Sequence, residues 1–164
     1  MKTLYLVRHA KSSWDNSLQS DFERPLNDRG IASAPLMAGR MKEKMVRPSM
    51  VVSSPANRAI TTAGIVAGIL GYPESEIVQK MEIYTGGRDA LLQIVRSLPD
   101  RCDSAMLFGH NPVMTDFSNF LTGERLDNMV TCGVIRIDLS CGSWAEAGER
   151  SGMKIWYDYP KKHE

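Results

Sequence analysis

The stretch TLYLVRHAKSSW, Thr3 to Trp14, passes from an apolar run at Leu4–Val7 straight into Arg8 and His9. A run this short reads as a strand buried on both faces rather than a helix. Two other runs, Met50–Ser53 and Ala105–Phe108, have the same character and end in a similar way. VVSSPANRA leads the second into Arg58, and MLFGHNP carries the third to His110. Ligands of an open α/β sheet bind beyond the carboxyl ends of its strands. The polar endings therefore predict one reactive edge, and the apolar runs predict the sheet behind it.

Helical periodicity fills the intervals. Ile60, Ala63, Ile65, Val66, Ile69 and Leu70 recur at helical spacing from Arg58 to Leu70, and Gly71 with Pro73 gives a stop signal. Leu91, Ile94, Val95 and Leu98 mark a helix over Ala90–Leu98, and Pro112 is placed to open another that ends before Gly123. Asn27 is a candidate cap for a helix through Met45, but Pro35 would cost it about 3 kcal/mol. Either that helix kinks or it begins near Ser33. Val134–Leu139 alternates as a strand and Lys154–Tyr159 resembles another. The resulting order predicts a three-layer α/β/α sandwich on a mainly parallel sheet, with an antiparallel strand near the C-terminal end.

The chain of 164 residues is expected to form a single domain over 1–164. A formal charge of +1 argues against nonspecific binding of nucleic acid or anionic lipid. No window approaches the roughly 18 apolar residues of a membrane span, and the first apolar run is too short for a signal-peptide core. The expectation is a soluble cytoplasmic protein with no nucleic-acid or membrane partner. Cys102, Cys132 and Cys141 are widely spaced without a C-x-x-C and read as reduced structural thiols. The ten methionines read as core filler. Lys11 to Asn27 is the longest segment without periodicity, which in a compact domain predicts a loop beside a site.

Of three histidines, His9 and His110 sit at strand ends, while His163 lies in the polar tail. Two arginines and two histidines without a dense set of carboxylates are costly to assemble unless an anion neutralises them. Phosphate fits, since guanidinium forks match its oxygens and the helix beginning near Arg58 adds N–H donors. Arg58 in a first turn opposes the helix dipole, which argues against a purely structural role. There is no Walker loop and no aspartate run for magnesium, so neither a metal nor another cofactor is expected. Surrounding cations would lower the pKa of His9, leaving it a free base able to attack phosphorus. Ser54 reads as a cap for the following helix, and Thr131 and Gly133 read as turn residues. Trp14 reads equally as a hydrophobic anchor or a substrate contact.

With these residues in place the sequence resembles the histidine phosphatase superfamily. The resemblance is carried by LVRHA at Leu6–Ala10, RPLNDRG at Arg24–Gly30, VVSSPANRAITTA at Val51–Ala63, MEIYTG at Met81–Gly86 and FGHNP at Phe108–Pro112. Its size and the RHAKSSW and RPL patterns are similar to the small SixA-like phosphohistidine phosphatase branch. The resemblance implies a phosphoglycerate-mutase-like fold without a lid insertion. It implies that His9 is the nucleophile, that Arg8 and Arg58 bind phosphate, and that His110 contacts the transferred group. Arg24 matches a further position near the phosphate, and Glu82 falls where many members carry the acid for the leaving group. Ala10 departs from the glycine most common after the RH pair.

The function expected is metal-independent phosphatase chemistry through phospho-His9, with phosphohistidine in a protein as substrate. A small phosphomonoester, such as a phosphosugar or nucleotide, is the alternative on the same machinery. A phosphate-binding module without chemistry is the alternative from another class.

Overall fold

The computed structural model describes residues 1–163. Six strands form one sheet: β1 (Lys2–Arg8), β2 (Met50–Ser53), β3 (Val78–Gln79), β4 (Ser104–Gly109), β5 (Val134–Leu139) and β6 (Gly152–Asp158). Their order across the sheet is β3-β2-β4-β1-β5-β6. The pairs β3·β2, β2·β4 and β4·β1 are parallel, while β5 runs antiparallel to both β1 and β6. Only β5 therefore opposes the common direction, in agreement with the mainly parallel expectation.

The helices are α1 (Asp28–Glu43), α2 (Asn57–Leu70), α3 (Met81–Thr85), α4 (Arg88–Arg96) and α5 (Val113–Thr122). Alternation along each strand sorts side chains to two cores. Leu4, Leu6, Leu107, Ile135 and Ile137 face α4 and α5 in one, which also buries Trp144. Tyr5, Val7, Met106 and Phe108 face α1 and α2 in the other. Burial on both faces explains why β1, β2 and β4 are nearly continuous apolar runs. Of the methionines, Met37, Met41, Met106, Met114 and Met129 fill these cores, whereas Met1, Met45, Met81 and Met153 are exposed.

Asn27 caps α1, its side chain accepting from Gly30 N at 2.9 Å. The helix continues through Pro35 without a break. The carbonyl that Pro35 leaves without an intrahelical donor belongs to Ile31, and both residues lie on the exposed face, where water can replace the donor. Gly30 permits close packing at this end, since a Cβ there would stand 2.2 Å from the Lys11 carbonyl oxygen. Gly71 closes α2 in the left-handed conformation, at φ 80°. Pro112 occupies the N-cap position of α5 rather than its first turn. The three cysteines are free and buried, and burial raises the Cys132 thiol to about 12.

Candidate active site

The register of β1 on β4 pairs Arg8 with Gly109, so the next residues, His9 and His110, leave adjacent strands together. His9 N donates to Gly109 O at 3.1 Å, and the imidazole centroids are 5.2 Å apart. The end of β2 joins them through Ser54 N, which donates to Phe108 O at 3.0 Å. On the other side the turn before β5 grips the same backbone: Cys132 N donates to the carbonyls of Arg8 and His9, both at 3.1 Å. Cys132 holds a left-handed φ of 61°, a strained conformation for a side chain of that type. Gly133 O accepts from Arg8 N at 3.1 Å, so this turn fixes the nucleophile strand as well as leading into β5.

Hydrogen bonding separates the two histidines. His9 is only 7% exposed, and its Nδ1 lies 2.7 Å from the Ala10 carbonyl, which can only accept. Nδ1 therefore carries the hydrogen, and the lone pair lies on Nε2, the nitrogen not sealed from solvent. His110 has the reverse arrangement. Its Nε2 meets Ser54 Oγ at 2.8 Å, while its Nδ1 is buried without a partner. Ser54 Oγ accepts from Ala56 N at 3.1 Å and keeps a proton that it can donate to His110 Nε2. With Ser54 donating, the neutral His110 presents a buried N–H at Nδ1 with no acceptor among the described residues. Ser54 does not cap α2: the cap residue is Ala56, which makes no side-chain bond.

Burial is the main cause that lowers His9 from its ordinary 6.5 to about 3. His110, Arg58 and Arg8 lower it further, against the raising effect of the Ala10 bond. His110 falls to about 4, again through burial first and then Arg58 and Arg8, with Asp21 opposing. Both imidazoles are neutral near pH 7. The neighbouring cations contribute as the sequence suggested, but desolvation is the larger influence.

The arginines are held differently. Arg8 is bound by a single donor, Nη1 to Met129 O at 2.8 Å, and its Nε is buried without an acceptor. Arg58, 7% exposed, gives Nη1 to Asp21 O at 2.7 Å and Nη2 to Asp21 Oδ2 at 3.0 Å. Asp21 lies in the predicted loop, on a short 3₁₀ turn, and also receives Arg24 Nη1 at 2.8 Å and the Tyr84 hydroxyl at 2.7 Å. Burial opposes ionisation of this carboxyl, but the bonds from Tyr84, Arg58 and Arg24 outweigh it and hold it near 2. The Tyr84 ring packs edge-on to His110 at 5.5 Å.

Arg24 is buried, and each of its three nitrogens already donates within the loop, to Asp21, the Ser13 carbonyl and Ser12 Oγ. Its guanidinium carbon lies 3.2 Å from the centroid of the Trp14 ring, which is itself 74% exposed. Glu82 is exposed on α3, and its carboxylate makes no hydrogen bond or ion pair among the described residues. Ala10 has no positive φ, and its N–H is accepted by Thr62 Oγ1 at 3.0 Å, so glycine is not required there. The geometry unites His9, His110, Arg8 and Arg58, with Arg24 one layer behind and Glu82 outside the hydrogen-bonded cluster. Asp21, Tyr84 and Ser54 join it without having been singled out as site residues.

Such a cluster, with buried donors at Arg8 Nε and His110 Nδ1 that lack acceptors among the described residues and a free imidazole lone pair, is suited to bind an anion. The model of the histidine phosphatase superfamily (branch 1) matches residues 4–131. The chain belongs to the histidine phosphatase superfamily. An uncharacterised chloroplast protein of Arabidopsis thaliana is 30% identical over 94% of this chain and 74% of its own length. A protein assigned as the phosphohistidine phosphatase SixA of Agrobacterium tumefaciens is 27% identical, with a TM-score of 0.82 over 97% of this chain and 98% of its own. The protein histidine phosphatase SixA in complex with tungstate is 24% identical and has the same fold, with a TM-score of 0.82 over 96% of this chain and 97% of its own. The family match together with the likeness to the Agrobacterium protein identifies the chain as a phosphatase.

Proposed function

We propose that this phosphatase works without a metal, through a phosphohistidine intermediate on His9, and that its substrate is phosphohistidine in a protein. The observation that carries the chemistry is the opposed hydrogen bonding of the two imidazoles. His9 offers a lone pair at Nε2, and His110 offers a hydrogen at Nδ1. In the first step Nε2 attacks phosphorus in line, forming a P–N bond to His9 as the P–N bond to the substrate imidazole breaks. Arg8, Arg58 and His110 Nδ1–H stabilise the charge on the equatorial oxygens. In the second step water attacks phosphorus and the His9 bond breaks, returning the lone pair to Nε2 and releasing phosphate.

A protonated imidazole leaves readily without a strong acid. Glu82 is exposed and unpaired, and it serves as proton donor only for poorer leaving groups such as alkoxides. Arg24 is a positioning residue that acts through Asp21 on Arg58. The protein-substrate reading rests on steric access and on the likeness to the SixA proteins. Residues Asp15–Leu18 of the loop between β1 and α1 are exposed, Leu18 at 95%, and bury no side chain.

The test is to incubate the enzyme with a protein carrying radiolabelled phosphohistidine and trap the chain in acid-sensitive, base-stable labelled form. The label should be absent from His9→Asn, and EDTA should leave turnover unchanged. A labelled His9→Asn would mean a different nucleophile, and loss of activity on chelation would end the metal-free reading. Comparing kcat/KM for phosphohistidine protein and for phosphosugars and nucleotides decides the substrate. A preference of several orders of magnitude for a small ester would overturn the protein assignment.

A further inference from the structure

Between the segment after His9, the start of α1, the turn before β5 and the C-terminal segment, the surface opens into a cavity of about 250 Å³. Lys11, Arg29 and Lys161 line it together with Val130, Tyr159 and Pro160, and among the described residues no carboxylate contributes to its walls. Neither the hydrogen bonds nor the ion pairs among the described residues engage any of the three cationic heads. Arg29 lies in the first turn of the 16-residue helix α1, where the helix dipole disfavours a cation. Its place beside Lys11 is enforced by the backbone, because Asn27 N donates to Lys11 O at 2.9 Å and Gly30 packs against the same carbonyl. Three like charges held around one half-enclosed space, each without a counterion among the described residues, describe a site for an anionic group.

This cavity is tied to the reactive centre through the backbone of two of its walls. Lys11 follows His9 by two residues, so their Cα atoms are at most about 7 Å apart. Val130 and Thr131 lead into Cys132, whose N–H holds the carbonyls of Arg8 and His9. A second cavity of about 310 Å³ continues from Arg29 and Lys161 along α1 past Ala32 to Leu36, which is 48% exposed. Arg29, Ala32, Ser33 and Leu36 stand at helical spacing on one face, so the groove runs about 10 Å along the helix. Its near end is cationic and its far end apolar. A second phosphate on a small metabolite would fill only the near end.

We infer that this groove docks the polypeptide flanking the phosphorylated residue of a protein substrate, with one or two carboxylates seated among Lys11, Arg29 and Lys161 and an apolar side chain farther along, against Leu36. The inference rests on the protein-phosphohistidine reading above and adds the sequence context that the enzyme selects. Two phosphohistidine peptides are compared, one with Asp and Glu beside the phosphorylated residue and a Leu farther on, the other with those acids replaced by Asn and Gln. The acidic peptide should be favoured about tenfold in kcat/KM at low salt, mainly through KM, and the preference should shrink as salt rises. The double variant Arg29→Glu/Lys161→Glu, two exposed positions, should abolish or invert the preference.

Equal turnover of both peptides by the unaltered enzyme would reject the groove and leave the phosphohistidine reading standing. An unchanged preference in the double variant would also reject it. No turnover of either peptide, with a small bisphosphate ester hydrolysed well, would remove the protein-substrate reading and this inference with it.

Discussion

The two flanks of the site hold their arginines in opposite ways. On the α2 side Arg58 is braced by an internal anion, Asp21, which Arg24 and Tyr84 hold in turn. On the β5 side Arg8 has one carbonyl and an unpaired Nε, and the cavity past Val130 and Thr131 has Lys11, Arg29 and Lys161 as its charged residues among those described. The α2 flank is assembled before substrate arrives, whereas the other is completed only by the anion it binds. A positively charged site does not have to be neutralised evenly: one carboxylate is enough to fix one guanidinium, and the remaining deficit is a reserve of attraction for phosphate.

The largest effect that would break this contrast concerns Arg58. Losing one preorganised donor costs about 10²- to 10³-fold in kcat, and Arg8→Ala should fall in that range. Arg58→Ala should be worse, because it removes one of the two guanidinium partners of the Asp21 carboxylate beside the incoming phosphoryl group and leaves only Arg24 and the Tyr84 hydroxyl on it. Adding Asp21→Asn to Arg58→Ala should then restore part of the activity, although Asp21→Asn alone should lower it. Steady-state kinetics on the four proteins of this cycle provides the check. Strict additivity would show that Asp21 and Arg58 do not act as a unit.

A smaller effect is expected at the strand end between the flanks. Ser54→Ala removes the hydroxyl that sets the His110 tautomer, and should lower kcat/KM by roughly tenfold, the cost of one buried bond left unmade. Ser54→Thr should recover most of it. The ¹⁵N shifts of His110 give a readout that a merely structural serine would not move: in the intact enzyme Nδ1 should carry the hydrogen, and in Ser54→Ala that preference should relax. Identical shifts in the two proteins would remove the positioning role.

The site residues on strand ends were legible in the sequence because a parallel sheet carries its strand ends to one edge. Arg8, His9 and His110 follow from β1 and β4 once those runs are read as strands, and Arg58 from the helix after β2. Asp21 and Tyr84 were not legible, since they meet Arg58 from segments 37 residues before it and 26 after it, with no periodicity to relate them. Ser54 was read as a cap because Ser before a helix usually is one; the competing partner, His110, lies 56 positions away. The same limit applied to α1. Its cap at Asn27 could be read locally, but whether it survives Pro35 depended on which face of the helix met water.

The histidines also make stability depend on pH. Neutral and buried in the fold, at about 3 for His9 and about 4 for His110, they return to near 6.5 when the chain unfolds. Between those limits the unfolded chain binds more protons, so stability rises with pH across the window and is lost as pH falls from about 6.5 toward 3. Asp21, held near 2 instead of 3.8, adds a further loss only below about pH 4. Urea midpoints should therefore decline from pH 7 to pH 4.5 in the intact protein. His9→Gln and His110→Gln should each flatten that decline, and an equal slope in the variants would show that other groups govern it.

The smallest expected change lies at the end of the stretch that begins with β1. Trp14 covers the outer face of the Arg24 guanidinium, whose inner edge holds Asp21, so the ring reaches Arg58 only through two intermediaries. An exposed cation–π contact contributes about 0.5–1 kcal/mol, and each relay dilutes it. Trp14→Ala should thus lower kcat/KM by less than the roughly two- to fivefold that the whole contact corresponds to, with phosphohistidine peptides and small esters affected alike. If Trp14 instead contacts the polypeptide of the substrate, the peptide alone should suffer and the ester should be turned over as before. The ratio of the two losses separates an anchor for the Asp21 flank from a substrate contact, and with the arginine braced from behind, the ratio expected is close to one.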